Sequence, residues 1–268
     1  MNNDSSKYPL GHNTEEILRL EKQAKLLSEK SLSTILKNSK NCLEIGCGSG
    51  ANLETVSAAN PKIEFYGMDL FPTAIEFAKQ KADSLNLNAH FHTGDAFSLP
   101  YKENKFDSVF IRLVLWSVGK NWEKIIQEAY RVLRPGGTLY CFEPDDSFLT
   151  FFPPKAELQL VISKWQGNQT RSGRNPFIGK ELYSAFNQAG FAEVHASPFH
   201  KVSTGQDSES YLEHLTNLKK IFLSKGPEDF GFEQNEPIWQ KALEQAQSVH
   251  YDDFLLECHF VVVGKKPL

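Results

Sequence analysis

The stretch that decides the fold is CLEIGCGSGANL, residues Cys42–Leu53. Within it, Gly46, Gly48 and Gly50 occupy alternate positions directly after a short apolar run. Glycine loses more backbone freedom on folding than any other residue, so three glycines within five residues predict a tight turn that another group approaches closely. We expect this turn to hold a ligand, and the residues around it decide which one.

Short apolar runs alternate with amphipathic segments downstream of residue 41. This rhythm predicts βαβ units in a parallel sheet and, because the crossovers are right-handed, helices on both faces. The pattern predicts strands at residues 42–45, 63–69, 89–93, 106–113, 138–142, 193–200 and 255–263. It predicts helices at residues 14–37, 52–59, 72–86, 122–133, up to about 167, and 180–189, with two more within 206–248.

The composition argues against several classes of partner. The chain has 268 residues, a formal net charge of −4 and no long basic run, so nothing draws it to nucleic acid or to an anionic membrane surface. No stretch reaches about 18 consecutive apolar residues, and the first residues have neither the basic nor the apolar region of a signal peptide. We therefore expect a cytoplasmic protein that binds neither nucleic acid nor membrane.

The cysteines and the acidic residues do not have the spacing of a metal site. The cysteines are Cys42, Cys47, Cys141 and Cys258. They show no CxxC or CxxH spacing, which argues against structural zinc. An acidic turn, EPDD, occupies residues 143–146, but Pro144 interrupts the spacing of its carboxylates. No metal is predicted.

The glycine turn by itself also fits a dinucleotide site. Gly46, Gly48 and Ala51 match G-x-G-x-x-A, and Asp69 follows Gly46 by 23 residues, near the spacing expected for an acid that binds a ribose. By this match alone the chain could be an NAD-linked oxidoreductase. A single match of this kind is weak evidence, and the charges around the turn argue against it.

Three carboxylates are expected around the ligand. Glu44 precedes the turn, Asp69 ends the second strand and Asp95 follows the third, while the turn has no Lys or Arg. In an open α/β sheet these strand ends border the ligand crevice, where carboxylates would repel a pyrophosphate. S-adenosylmethionine carries an ammonium and a sulfonium and no phosphate, so it would be attracted. Glu44 would face its amino-acid portion, Asp69 its ribose hydroxyls and Asp95 its adenine edge.

Four landmarks in this order resemble the class I S-adenosylmethionine-dependent methyltransferases that act on small molecules. They are ExGxGxG after the first strand, Asp69 after the second, GDAxxLPxxxxxFDxV at residues 94–109 and RVLRPGG at residues 131–137. The resemblance covers residues 41–143 strongly and the closing strands more loosely. It implies an α/β, Rossmann-like seven-stranded sheet with helices on both faces and the last strand antiparallel beside the fifth. It also implies S-adenosyl-L-methionine as the cofactor.

The resemblance assigns cofactor contacts residue by residue. Leu70 is expected beside the adenine, Arg112 and Leu113 on the methionine side, and Arg19 in an N-terminal lid against the cofactor carboxylate. The implied cofactor-binding residues are Glu44, Gly46, Gly48, Gly50, Asp69, Leu70, Asp95, Ala96, Arg112, Leu113, Tyr8 and Arg19.

The resemblance also divides the chain. Residues 1–40 are expected to be a helical lid and residues 41–268 the methyltransferase domain, with its cofactor-binding half at 41–143. Cap insertions at about 144–178 and 206–250 would form the acceptor side. Trp116, Phe151 and Arg174 are the predicted substrate contacts, because aromatic rings suit a small, partly apolar acceptor and an arginine suits a carboxylate.

The predicted activity is transfer of a methyl group to a nitrogen, oxygen or carbon nucleophile of a small molecule by direct in-line displacement. No catalytic residue is assigned, and the oligomeric state stays open. Two alternatives use the same fold. One is an aminopropyltransferase, and the other is a non-catalytic protein that binds S-adenosylmethionine and regulates a partner.

Overall fold

The computed structural model of the protein describes residues 30–206, 226–233, 236–248 and 250–268. Its helices are α1 (Lys30–Lys37), α2 (Leu53–Ala59), α3 (Pro72–Ser84), α4 (Glu123–Val132), α5 (Ala156–Arg171), α6 (Leu182–Gln188) and α7 (Pro237–Gln245). Its strands are β1 (Asn41–Ile45), β2 (Glu64–Asp69), β3 (Ala89–Thr93), β4 (Phe106–Arg112), β5 (Leu133–Pro144), β6 (Thr150–Phe152), β7 (Ala192–Thr204) and β8 (Phe254–Lys265).

The strands form one open sheet in the order β3-β2-β1-β4-β5-β8-β6, and β7 pairs with β8. β1 pairs in parallel with β2 and β4, β2 with β3, and β4 with β5. The last strand, β8, is antiparallel to β5. The predicted α/β fold and the antiparallel last strand beside the fifth are therefore confirmed.

The described chain has eight strands rather than the seven predicted. The extra strand is β6, which pairs antiparallel with Phe254–Leu256 of β8. Its sequence, TFF, is β-branched and aromatic and therefore suits a strand. Three residues are too short to show an alternating pattern, and the partner lies about a hundred residues away along the chain. A sequence pattern could not have revealed this pairing.

Both faces of the central sheet are buried because successive residues of each strand enter different hydrophobic clusters. Leu43, Val109 and Leu139 belong to one cluster, with α4 and α6. Phe110 and Tyr140 belong to the other, with α1, α2 and α3. Such two-sided burial is expected of parallel strands with helices on both sides. It fixes the carboxyl ends of β1, β2 and β4 beside one another.

Most predicted boundaries agree with the structure within a few residues. Of the helix predicted at 14–37, only 30–37 lies within the described residues, where it is helical. The second helical pattern of 206–248 is α7, and the first falls mainly on residues that are not described. α5 continues past Gly167 to Arg171, and a short 3-10 helix, Ile178–Glu181, precedes α6.

The chain divides into two compact units. Among the described residues, the first unit comprises 30–143, 178–199 and 260–268, and the second comprises 144–177 and the described part of 200–259. The second unit has its own apolar core, which includes Leu158, Trp239 and Leu255. In the part of the chain that the structure describes, no helix is both long enough and apolar enough to cross a bilayer.

Candidate active site

The glycine turn predicted at residues 46–50 follows β1 directly. Gly46, Gly48 and Gly50 have φ angles of +74°, +52° and +82°, which side chains other than glycine rarely adopt. The surroundings of the three glycines differ. A Cβ added to Gly46 would lie 2.3 Å from Val114, and one added to Gly50 would lie 2.5 Å from Leu53. A Cβ added to Gly48 would meet nothing within 4 Å, so this glycine borders open space.

The backbone N–H groups of the turn are bonded within the protein. Those of Gly46 and Cys47 donate to the carbonyl oxygen of Met68 at 2.7 and 3.0 Å. That of Gly48 donates to Oδ2 of Asp69 at 2.8 Å. A dinucleotide pyrophosphate binds to free N–H groups of such a turn, and here these three donors already have partners. These three N–H groups therefore fix the turn to β2 and are not available to bind a phosphate.

Asp69 and Asp95 are brought to the same edge of the sheet. Besides Gly48, the Asp69 carboxylate accepts a hydrogen bond from the backbone N–H of Phe71 at 3.0 Å, and the Asp69 carbonyl accepts one from Gly94 at 2.9 Å. The next residue, Asp95, accepts a bond from the N–H of Phe97 at 2.9 Å. A carboxylate has about four acceptor sites, so Asp69 can accept bonds from ligand hydroxyls as well.

Glu44 is buried rather than exposed at the turn. It is 1% exposed, and its Oε1 accepts a hydrogen bond of 2.5 Å from Nδ2 of Asn52. Oδ1 of the same Asn52 accepts a hydrogen bond from Arg112. Asn52 therefore links an acid to a base across the start of α2. Glu44 Oε2 is also buried, and it accepts no hydrogen bond in the described part of the chain.

Burial also changes the charge of Glu44. Desolvation raises its pKa to about 8, and Asp69 adds to the rise, while Asn52 and Arg112 oppose it. At neutral pH this carboxyl is largely protonated unless a cation comes close. The electrostatic case against a pyrophosphate therefore rests mainly on Asp69 and on the occupied N–H groups, and less on Glu44 than the sequence suggested. A cation at the site would favour the ionised form of Glu44.

Asn52 is a site residue that sequence reasoning missed. The sequence placed it at the start of a helix, where an asparagine commonly bonds to an N–H of the first turn. It does precede α2, but its side chain makes no capping bond and is directed instead to Glu44 and Arg112. The signal available in the sequence was an amide side chain two residues after the last glycine of the turn and eight residues after Glu44.

The predicted residues after β2, β3 and β4 lie at the ends of their strands. Leu70 is 43% exposed, as a residue that covers a flat ligand would be, and Ala96 is half-buried. Leu113 has a φ of +57°, and its N–H donates to the carbonyl oxygen of Phe142. Trp116 is half-buried, and its Nε1 donates to the carbonyl oxygen of Leu113 at 3.2 Å.

The two substrate contacts predicted in the second unit differ in exposure. Phe151 is 3% exposed and belongs to the core of that unit, so packing accounts for its position. Arg174 is half-buried, and its Nη1 donates to Oε1 of Gln169 at 3.0 Å and to Oγ of Ser172 at 3.3 Å. Burial lowers the pKa of Arg174. Tyr8 and Arg19, predicted in the lid, lie outside the described residues.

Comparison with known proteins agrees with the landmarks of the sequence. A family model described as "Methyltransferase domain" matches residues 43–141. The demethylmenaquinone methyltransferase of Geobacillus kaustophilus is 26% identical over an alignment of 178 residues that covers 61% of this chain and 76% of that protein. Its counterpart from Oceanobacillus iheyensis is 29% identical over an alignment of 169 residues that covers 58% of this chain and 71% of that protein. These similarities indicate a class I S-adenosylmethionine-dependent methyltransferase.

Solved structures show how widely the fold of this methyltransferase is shared. Phosphoethanolamine N-methyltransferase 2 of Haemonchus contortus, in complex with S-adenosyl-L-methionine, has a TM-score of 0.55 at 16% identity, with 96% of this chain and 58% of that chain covered. The [4+2]-cyclase SpnF has a TM-score of 0.52 at 16% identity, with 89% and 82% covered. Because one neighbour is a cyclase by name, the fold by itself does not specify the reaction.

The residues of this methyltransferase fit S-adenosylmethionine. Its ribose hydroxyls match the acceptor sites of Asp69, and its ammonium matches the buried Glu44 oxygen that accepts no hydrogen bond within the described residues. Its lack of phosphate matches the occupied N–H groups of the turn. The open space at Gly48 leaves room for a ligand against the backbone. In the described residues, no group of three or more His, Cys, Asp or Glu side chains could hold a metal ion.

Proposed function

We propose that this methyltransferase transfers the methyl group of S-adenosylmethionine to a nitrogen, oxygen or carbon atom of a small molecule by direct in-line displacement. The observation that carries the cofactor side of the proposal is the hydrogen bond between the Gly48 N–H and the Asp69 carboxylate. This bond connects Asp69, an acid suited to binding ribose hydroxyls, with Gly48, the glycine that borders open space. The same bond occupies a donor that a phosphate would need.

The cofactor contacts proposed from the sequence form three groups. Asp69 and Leu70 would bind the ribose and the adenine face, and Asp95 with Ala96 the adenine edge. The methionine portion would lie over the glycine turn, near Leu113. The further residues proposed to bind the cofactor are Glu44, Gly46, Gly48, Gly50, Arg112, Tyr8 and Arg19.

The reaction requires the protein mainly to align the acceptor atom with the methyl group. When bound, S-adenosylmethionine supplies a methyl group on a sulfonium, which is already a good leaving group. The protein then has to hold the acceptor atom in line and exclude water, and orientation of this kind can supply several kcal/mol of the barrier. We propose that the segment after β4, which includes Trp116, supplies part of this alignment. The lid proposed at residues 1–40 would exclude water.

A demethylmenaquinone is the first acceptor to test. The relatives from Geobacillus kaustophilus and Oceanobacillus iheyensis are named demethylmenaquinone methyltransferases, and an aromatic, partly apolar acceptor suits the ring of Trp116. We propose that the insertions at about 144–178 and 206–250 form the acceptor cap. Arg174 would serve an acceptor that carries an anionic group.

Two measurements test the proposal. Calorimetric titration with S-adenosylmethionine, S-adenosylhomocysteine and NAD should give micromolar binding of the first two and none of NAD. Purified protein with isotopically labelled S-adenosylmethionine and a short-chain demethylmenaquinone, reduced and oxidised, should then give a labelled, methylated product. Binding of NAD alone would refute the cofactor assignment. Cofactor binding without transfer to this probe, or to a panel of amines and phenols, would favour the regulatory alternative.

A further inference from the structure

A buried carboxylate holds the segment that follows β4. Glu143, near the end of β5, is fully buried. Its Oε1 accepts hydrogen bonds from the backbone N–H groups of Val114 at 2.8 Å and Leu115 at 2.9 Å, and its Oε2 accepts one from Trp116 at 3.3 Å. Three consecutive N–H groups thus converge on one side chain, an arrangement that binds anions without a countercharge.

This segment has no strand partner of its own to satisfy these donors. β4 ends at Arg112, and Leu113 then turns with a φ of +57°, a left-handed conformation that costs a leucine free energy. Buried backbone N–H groups without acceptors are costly. The conformation of the segment is therefore maintained by Glu143, because its carboxylate is the acceptor for all three donors.

The segment contacts the glycine turn and carries a predicted acceptor contact. Val114 lies against Gly46, with its Cγ2 2.3 Å from the position of an added Cβ. Trp116 is proposed to face the acceptor. A shift of about 1 Å at such a place can cost a hundredfold in rate. We propose that Glu143 is a positioning residue for methyl transfer, which fixes Val114 and Trp116 between the glycine turn and the acceptor.

The carboxylate should lose this hold when it is protonated. Burial raises the pKa of Glu143 to about 7, against the three N–H bonds, which lower it. The Cys141 thiol, two residues earlier on β5, interacts with it, and the pKa of that thiol is raised by burial and by Glu143. Below pH 7 one oxygen becomes a hydroxyl and faces N–H groups that need an acceptor. Opening of the segment alone leaves Glu143 buried but removes the three N–H bonds that lower its pKa. The open form then holds the proton more tightly than the closed form, so the segment should open more often as the pH falls through 7.

Hydrogen exchange tests the proposal in the wild-type protein, without any substitution or acceptor. The protection factors of the Val114, Leu115 and Trp116 amides, corrected for the intrinsic pH dependence of exchange, should fall by about fivefold or more between pH 8 and pH 6. Protection factors that stay constant over this range would overturn the proposal.

Glu143→Gln tests whether the carboxylate of Glu143 holds residues 114–116, because it removes the carboxylate charge. The glutamine amide would place N–H groups against the N–H of Trp116, so exchange at residues 114–116 should rise by about tenfold and lose its pH dependence. Asp107→Asn is the matched control, because Asp107 also accepts two consecutive backbone N–H bonds, from Lys40 and Asn41, at the opposite end of β4. Equal loosening of 114–116 in both variants would overturn the proposal.

The kinetic test rests on the proposed function and is separate from the exchange test. With the short-chain demethylmenaquinone probe, Glu143→Gln should raise KM and lower kcat, while its Kd for S-adenosylhomocysteine stays within about threefold of wild type. Unchanged kcat and KM alongside loosened exchange would overturn the positioning role. If the wild type does not methylate this probe, the proposed function fails for that acceptor, and the exchange measurements still decide whether Glu143 holds the segment.

Discussion

Val114 packs directly on Gly46, with its Cγ2 at 2.3 Å and its Cγ1 at 3.1 Å from where a Cβ on this glycine would lie. Gly46→Ala should therefore destabilise the protein more than Gly48→Ala does. Both substitutions carry the strain of a positive φ, but the alanine at position 46 also overlaps Val114, and overpacking of this kind costs about 1–3 kcal/mol. Urea unfolding of the two variants measures the difference.

The double variant Gly46→Ala with Val114→Ala isolates this contact. Removing the two valine methyl groups should recover much of the extra loss in the free energy of unfolding, because only the Val114 Cβ, at 3.3 Å, then remains close. If the losses in the free energy of unfolding of the two single variants simply add in the double variant, the overlap with Val114 is not the cause of the extra loss in Gly46→Ala.

Asp69 should be needed for cofactor binding. Asp69→Ala removes the acceptor of the Gly48 and Phe71 N–H groups as well as the proposed ribose contact. Hydrogen bonds to charged groups are worth about 1.5–3 kcal/mol each, so the Kd for S-adenosylmethionine should rise by about a hundredfold or more. Calorimetric titration measures it, with Glu76→Gln, an exposed acid paired to Lys79 on α3, as the control. If Asp69→Ala binds S-adenosylmethionine with normal affinity, Asp69 is not part of the cofactor site.

Asn52 should matter more for binding than its place at a helix terminus suggests. Asn52→Ala removes the amide that bonds to both Glu44 and Arg112 and takes no capping bond from α2. The affinity for S-adenosylmethionine should fall by about tenfold, since one arginine and one acid lose their orientation. Helicity, followed by far-ultraviolet circular dichroism, should not change. A loss of helix signal with unchanged affinity would contradict this role.

Glu44 should make the protein less stable as the pH rises. Its pKa is raised from 4.5 to about 8 by burial, so the folded state holds a proton between these values that the unfolded state has lost. The free energy of unfolding therefore decreases as the pH rises through this window, by up to about 1.4 kcal/mol per pH unit. Glu44→Gln should flatten this slope in urea unfolding between pH 5 and 8. Complete unfolding exposes Glu143 to water, unlike the local opening of residues 114–116, so Glu143 adds a slope of the same sign. Some pH dependence should therefore remain in Glu44→Gln, whereas a slope equal to that of the wild type would contradict the assignment.

Much of the first unit could be predicted because its signals are local. The strand predicted at 89–93 is found at Ala89–Thr93, and the helix predicted to stop at RPGG ends at Val132. Apolar periodicity, glycine and proline suffice for such elements. β5 is longer than predicted because Gly136 and Gly137 pair with Lys266 near the end of the chain, a contact that no local pattern contains.

The position of Glu44 differs from the predicted one in one respect. Glu44 precedes the glycine turn, as the sequence predicts, but its side chain is buried rather than exposed to a ligand. Strand alternation sets Glu44 on the same face as the buried Cys42, and both faces of a central parallel strand are covered. The sequence therefore contained the information that this acid is buried. The roles of Asn52 and Glu143 depend on contacts between distant segments, which only the three-dimensional structure supplies.

The four cysteines, Cys42, Cys47, Cys141 and Cys258, are free and buried. Burial raises the pKa of Cys47 in the turn and of Cys42 and Cys141 in the sheet, so none of these three thiols reacts while the protein is closed. The rate at which a disulfide reagent modifies each thiol then measures how often its surroundings open. Modification of Cys47 reports opening of the glycine turn, and modification of Cys42 and Cys141 reports separation of the strands. A single labelling experiment followed by peptide mapping would thus measure the local stability of the ligand site separately from that of the sheet.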